Sequence, residues 1–289
     1  MLVTMKEMLA EAKKGHYAIP AFDVSNYEML RAVMEVCEEE KSPALLMGIE
    51  ADLQGRGLEL ITAMAKAASE CYRVPVCMHL DHASHMELVR RAVGVGFSSV
   101  MYDGSVLPLE ENIRNTAEVV RYAHGLGLTV EAELGHVGNA IVGNEGDVPQ
   151  DEDPEDTLTD PAEVVRFVAE TDVDALAVAI GTAHGVYKKT PSMRIDRLDA
   201  ITAVCDRPLV LHGGSGTPEE QLKVAIDHGI TKINIYSDVV VALNDGLRSK
   251  LSGMTNGATW PVFVQEEACS NMRRVIREKI RICGSAGRV

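Results

Sequence analysis

The stretch Pro75-Val76-Cys77-Met78-His79-Leu80-Asp81-His82 is an apolar run that ends in a carboxylate and an imidazole. A carboxylate can move a proton, and a neighbouring imidazole can hold a divalent metal ion. Similar endings recur along the chain, at Asp23, Gly48, Asp103, Glu133, His184, His212 and Asn234. Each closes, or lies just past, a short apolar run of strand character. Three imidazoles (His82, His184, His212) together with carboxylates are the ligand types of a catalytic site for a metal such as zinc, with one coordination position left open. His79 and His85 are weaker candidates, because they flank the end of their run. His16, His124, His136 and His228 sit in helical or loop patterns and receive no role.

Two strand-to-helix turns, the first rich in glycine, add a second kind of chemistry. His212-Gly213-Gly214-Ser215-Gly216 lets backbone N–H groups approach a ligand, and Asn234-Ile235-Tyr236-Ser237 places a hydroxyl at a predicted helix start. Helix N-termini and such turns bind phosphate. A metal that polarises a carbonyl, a carboxylate that moves protons and a phosphate cradle suit carbon–carbon bond cleavage by a retro-aldol route. Metal-assisted isomerisation or hydrolysis would use similar parts.

These residues need elements that bring them to one face. Short apolar strands are predicted over residues 17–22, 43–47, 75–82, 99–102, 129–134, 175–180, 208–211 and 232–235, each followed by an amphipathic helix. Helix starts are marked by Ser25-Asn26-Tyr27-Glu28 and Ser84-His85-Met86-Glu87, which have the form of capping boxes, by Asp160-Pro161-Ala162-Glu163, and by Thr217-Pro218-Glu219-Glu220. Residues 135–159 form a long polar loop of the length that lids adopt. Eight strand–helix units predict an α/β chain, a (β/α)8 TIM barrel occupying residues 1–289 as a single domain, with an additional C-terminal helix over residues 262–280. A doubly wound open sheet is the alternative. In a barrel the strand ends meet at one face, and the loops after strands seven and eight form the phosphate site.

Composition bounds the partners. With 28 basic and 43 acidic residues the net charge is −15, which argues against nucleic acid. No apolar run of about twenty residues predicts a membrane span, and the start has no signal-peptide pattern. Six cysteines without CxxC spacing read as buried, reduced thiols of a cytoplasmic protein.

The motifs His79-Leu80-Asp81-His82, Val130-Glu131-Ala132-Glu133-Leu134-Gly135, Ala179-Ile180-Gly181-Thr182-Ala183-His184-Gly185, Leu209-Val210-Leu211-His212-Gly213, Lys232-Ile233-Asn234 and Cys283-Gly284-Ser285-Ala286-Gly287 carry a resemblance over nearly the whole chain. The chain resembles the class II zinc-dependent ketose-bisphosphate aldolases, in particular their tagatose-bisphosphate and short-form fructose-bisphosphate branch. The resemblance implies reversible cleavage of a ketose 1,6-bisphosphate to dihydroxyacetone phosphate and glyceraldehyde 3-phosphate. It implies one Zn²⁺ on His82, His184 and His212, with Glu133 and Asp103 in alternate or outer positions and Asp81 as the acid/base. Gly185, Gly213, Ser215, Asn234 and Ser237 would hold the dihydroxyacetone phosphate half, with a monovalent cation (Na⁺ or K⁺) nearby. An acidic residue of the 135–159 loop is a candidate to protonate the enediolate, and Glu145 is the one selected. A homodimer or homotetramer is implied, with the C-terminal helix as a contact.

Three departures concern the aldehyde half. Asp23 stands where relatives carry Asn, and Gly48-Ile49-Glu50-Ala51 replaces a small Thr- or Ser-rich turn. The loop through Gly138 to Glu145 also appears longer than in relatives. Asp23 and Glu50 would repel a second phosphate, so the expected alternative is a ketose 1-phosphate with a different aldehyde half. Two further alternatives are a lysine Schiff-base aldolase using Lys232 or Lys188, and a non-catalytic accessory barrel of an aldolase complex. Lys232 is read as starting its strand, away from the catalytic face.

Overall fold

The structure, a computed structural model, describes residues 1–53, 55–140 and 157–289. Eight parallel strands close a barrel: β1 Ile19–Asp23, β2 Ala44–Ile49, β3 Val76–Ala83, β4 Ser99–Tyr102, β5 Thr129–Leu134, β6 Ala175–Val178, β7 Leu209–Leu211 and β8 Ile230–Ile235. Each strand pairs with its sequence neighbours, and β8 closes on β1 through Ile19–Lys232 and Ala21–Asn234. This is the predicted (β/α)8 architecture rather than an open sheet.

Side-chain alternation divides the strands into two layers. Outward residues such as Phe22, Leu46, Met78, Leu80, Val100 and Ile233 form the main core against the helices. Inward residues at the lower end, including Ile19, Ala21, Leu45, Met47, Cys77, Ala177 and Val210, form a second core. Helix α1 (Met5–Gly15) plugs that end with Met5, Met8, Leu9 and Ala12. The inward residues nearer the carboxyl ends are polar: His79 and Asp81 on β3, Glu131 and Glu133 on β5, and Lys232 and Asn234 on β8, all buried. Period-two alternation therefore lifts the chemistry to one end of the barrel.

The connecting helices are α2 Tyr27–Glu40, α3 Gly57–Cys71, α4 Met86–Val95, α5 Leu109–His124, α6 Pro161–Thr171, α7 Ile195–Thr202, α8 Glu219–Asp227 and α9 Ser237–Ser252. Their starts differ in part from the sequence signals. Asp160 caps α6 as expected, accepting from the Ala162 N–H at 2.8 Å. At α2 the cap is Asn26, accepting from the Met29 N–H, rather than Ser25. No capping box forms at Ser84; its hydroxyl instead meets Nδ1 of His85, the residue before α4. Thr217 does not cap α8, because its hydroxyl donates to the Gly213 carbonyl at 2.9 Å.

The extra C-terminal element is two helices, α10 (Pro261–Val264) and α11 (Glu266–Ile282). Helix α11 buries Ala268, Cys269, Met272, Ile276 and Ile280, at helical spacing, against α9 and α2. Gly246 of α9 meets the backbone of Ala268 so closely that no Cβ fits between them. Five cysteines are buried as expected, while Cys71 is exposed, and all six are free. No helix among the described residues is long and apolar enough to cross a membrane.

Candidate active site

Three imidazoles meet at the carboxyl end of the barrel. His82 Nε2 lies 3.0 Å from His212 Nδ1, and His184 Nε2 lies 3.3 Å from the same atom. The rings stand nearly perpendicular, with interplanar angles of 84°, 88° and 73°. Two of the rings have their far nitrogen held by a carboxylate. His82 Nδ1 is 2.7 Å from Asp103 Oδ2, and His212 Nε2 is 3.0 Å from Glu131 Oε1. Each carboxylate accepts a hydrogen bond from its ring, so the facing nitrogen is the one that a neutral ring would offer to a metal. Three imidazole nitrogens converging this closely can surround a cation once His82 gives up its second proton.

The residues present fit such a cation. Four-coordinate zinc with Zn–N of about 2.0–2.1 Å sets neighbouring nitrogens about 3.3 Å apart. Glu133 adds a further donor: its Oε1 accepts from the Val137 N–H, and its buried Oε2, 3.9 Å from His212 Nδ1, has no hydrogen-bond partner. Donor atoms of His82, His184 and His212 form one ligand-like group, and those of His82, Asp103 and Glu133 an adjoining one.

Local backbone explains how His82 arrives. Asp81 points into the barrel by alternation, so the next residue should point outward. His82 instead adopts a left-handed conformation, φ 49°, and the β3–β4 register shifts between Leu80 and Ala83. The other non-glycine residues with positive φ among those described, His16, Lys41 and Asp172, terminate helices. Strain at His82 turns its ring back into the site. His184 lies on a two-residue strand, Ala183–His184, paired in parallel with Gly138–Asn139, and its carbonyl accepts from the Ala140 N–H at 2.7 Å. The loop after β5 is thereby fastened to a ligand segment. Glu145 lies outside the described residues.

Asp81 and Asn234 complete the wall. The Asn234 amide donates to Asp81 Oδ1 at 3.2 Å, which leaves Asp81 Oδ2 facing His82 Nε2 at 3.8 Å. Asp23 ends β1, is buried, and has no partner for Oδ1. Burial and the nearby Asp81 push its carboxyl well above the usual range. Glu50, expected beside it, is exposed; Asp52 takes that place, acting on Asp23 electrostatically and accepting a hydrogen bond from the Tyr236 hydroxyl. Along the short 3-10 helix Glu50–Asp52, Glu50 stays exposed while Asp52 reaches the Tyr236 hydroxyl.

Burial also tunes the ligands. It drives His184 and His212 well below the ordinary histidine range, reinforced by the other imidazoles. Burial disfavours the charged form of His82 as well, but Asp81, Asp103 and Glu133 outweigh it and raise His82 to about 10. Burial and Asp103 push Glu133 up to about 8.

The turn after β7 is compact. Gly213 has φ 68°, and a Cβ there would collide with the Ala183 carbonyl. Ser215 Oγ accepts from the N–H groups of Tyr236 (3.1 Å) and Asp238 (3.2 Å) at the start of α9, so its hydroxyl joins the turns after β7 and β8. Gly185 is buried, Gly214 packs on Ile233 and the Asn234 carbonyl, Ile235 is buried outward and Ser237 opens α9. Asp238 accepts from the Gly216 N–H and pairs with Lys279 of α11 at 2.7 Å, which ties the C-terminal helix to this turn.

Four residues outside the expected metal, acid–base and phosphate sets prove to be structural partners here. Glu131 and Lys232 pair at 2.8 Å inside the barrel; Lys232 is the third residue of β8 and its amine reaches Glu131, contrary to its assignment to the start of the strand. An amine committed to an ion pair is a poor Schiff-base nucleophile. His79 is buried beneath the site with Nδ1 on Ser99 Oγ at 2.8 Å. The Tyr187 hydroxyl accepts from the Ala183 N–H and donates to the Gly213 carbonyl, stapling the segments that carry His184 and His212. Alternation from Glu133, Asn234 and Asp81 could have found the first three; Tyr187 has no sequence signal.

A parallel (β/α)8 barrel with a three-histidine cluster and an adjacent aspartate is the arrangement of a metal-dependent aldolase. The family model for class-II fructose-bisphosphate aldolase matches residues 3–288, and the chain belongs to that family. The solved structure of the YdjI aldolase from Escherichia coli K12 is 33% identical, with a TM-score of 0.86 and 99% of each chain covered. A putative fructose-1,6-bisphosphate aldolase from Coccidioides immitis is 30% identical, TM-score 0.84, covering 98% of this chain and 96% of that one. Fructose-bisphosphate aldolase (Fba) from Campylobacter jejuni, at 20% identity and TM-score 0.82 over 100% and 97%, shares the fold.

Proposed function

We propose that the chain is a zinc-dependent aldolase that cleaves a phosphorylated ketose to dihydroxyacetone phosphate and an aldehyde. The observation that carries this reading is the convergence of His82 Nε2, His184 Nε2 and His212 Nδ1 beside the free oxygen of Asp81. A zinc ion held by those nitrogens supplies a Lewis acid that polarises the ketose carbonyl. Asp81 Oδ2 takes the proton from the hydroxyl at the breaking bond, and Asn234 holds Asp81 in line by its bond to Oδ1. Asp103 and Glu131 orient the ligand rings. The turns 213–216 and 234–237, joined through Ser215, bind the phosphate, with Gly185 alongside. Chelation should abolish cleavage, and zinc should restore it; cleavage that survives metal removal rejects the reading.

A second reading concerns the aldehyde. The environment that resists ionisation of Asp23 would resist a phosphate dianion in the same place, and Asp52 adds a further negative group. We infer that the preferred substrate is a ketose 1-phosphate whose aldehyde half bears no phosphate. Comparing kcat/KM for fructose and tagatose bisphosphates with ketose 1-phosphates decides it. Efficient turnover of either bisphosphate sinks this reading and leaves the aldolase reading intact.

A further inference from the structure

We propose that Lys232 and Glu131 form a positioning pair that sets how tightly the three-histidine site holds its metal; the inference rests on the metal-site reading above. Both side chains are fully buried in the barrel, one layer below the ligands. Glu131 uses its two oxygens separately. Oε1 takes His212 Nε2 at 3.0 Å, while Oε2 takes Lys232 Nζ at 2.8 Å, with His79 Nε2 at 3.7 Å from the same oxygen.

A carboxylate only accepts, so the His212 hydrogen sits on Nε2 and Nδ1 is left open towards His82 and His184. Asn234 Nδ2 lies 3.3 Å from that same Nε2, but its hydrogen goes to Asp81 Oδ1, since a protonated Nε2 cannot accept. Glu131 thus selects the tautomer that can bind metal. Lys232 anchors the second oxygen, which keeps the carboxylate below the ligands and balances its charge.

Opposite consequences follow for the two members. With Lys232 removed, Glu131 is a buried negative charge without a partner, and an arriving divalent cation relieves it; zinc should bind more tightly. With Glu131 replaced by an apolar side chain, Lys232 is an unpaired buried cation that opposes the metal, and His212 loses its acceptor; zinc should bind more weakly. A pair that only packed the barrel would weaken zinc binding whichever member was changed.

The test is a zinc titration of the full chain, with cobalt absorption as a second measure of ligand geometry, on the wild type, Glu131→Leu, Lys232→Met and the double variant. Glu131→Leu should weaken zinc by about 10–100-fold. Lys232→Met should tighten it by about threefold or more. Both single variants should lower the melting temperature of the metal-free protein, and the double variant should recover part of that loss. Should a single variant not fold, the double variant carries the decision: zinc binding weaker than wild type by about tenfold or more supports the tautomer role, and wild-type affinity refutes it. Shifts in the same direction for both single variants overturn the proposal. A wild-type chain that binds no zinc overturns the metal-site reading with it, whereas zinc lost in His184→Ala alone leaves that reading standing.

Discussion

Asp81 and His82 are consecutive residues, and both reach the same cluster, with Asp81 Oδ2 3.8 Å from His82 Nε2. A regular strand would send them to opposite faces. The left-handed backbone at His82 and the register shift beside it reverse that, so one strand end brings an imidazole and a carboxylate to the same cluster. The strain of such a conformation, about 1–3 kcal/mol, is held in place by the Asp103 bond to Nδ1 and by the surrounding strands.

Separating the two roles gives the first prediction. Asp81→Asn should keep zinc content near wild type, because Asp81 has no place among the three imidazole nitrogens. Cleavage should fall by about 10²–10⁴-fold, the usual effect of losing a general acid–base. Metal analysis and a coupled assay on the same preparation check it, and near-normal turnover would remove Asp81 from this role.

The fold was legible because eight strand ends and their helices carry clear periodicity, and the convergence of His82, His184 and His212 because they close or follow strands. Less legible was what lies beneath them. Lys232 looked like a strand start because the predicted β8 began two residues late; in the structure Ile230 starts it, which makes Lys232 an inward residue. Glu50 and Asp52 differ in sequence by two positions but in orientation by a 3-10 turn that composition does not encode. Single-residue capping shifts, as at Asn26, depend on local dihedrals that the motif alone leaves open.

Zinc uptake should release protons. In the metal-free protein His82 is raised to about 10, so it is charged at pH 7, and zinc must displace that proton. The sign is therefore an apparent affinity that rises with pH across the neutral range. Calorimetry at pH 7 in buffers of different ionisation enthalpy should count at least about one proton released per zinc bound. Uptake without proton release contradicts the charge assigned to His82.

Gly213→Ala tests the turn beside His212. The residue holds φ 68°, which costs a side-chain-bearing residue about 1–2 kcal/mol, and its Cβ would strike the Ala183 carbonyl. Moving Ala183 also disturbs the Tyr187 staple and, through it, His184. We expect a lower melting temperature together with weaker zinc binding and a raised KM. Unchanged zinc affinity would show that the turn and the ligand segment are uncoupled.

The last prediction concerns stability away from the site. Asp174, just before β6, accepts from the Val130 N–H at 2.9 Å, His124 Nε2 at 2.8 Å and Lys6 Nζ at 3.0 Å, joining α1, α5 and β5. Burial alone would raise its carboxyl, but those three donors outweigh it and hold it below the ordinary range. A carboxyl whose folded value is depressed stabilises the fold above its unfolded value of about 3.9, and that contribution fades as pH falls towards the folded value. Asp174→Ala should therefore cost about 1–3 kcal/mol at pH 7, where the buried Val130 N–H is left without a partner. The gap between variant and wild type should narrow below about pH 3.9, as protonation weakens the same bonds in the wild type. Urea unfolding of both metal-free proteins at pH 7 and pH 3 measures the two gaps, and equal gaps would mean that the charge on Asp174 contributes nothing to the fold.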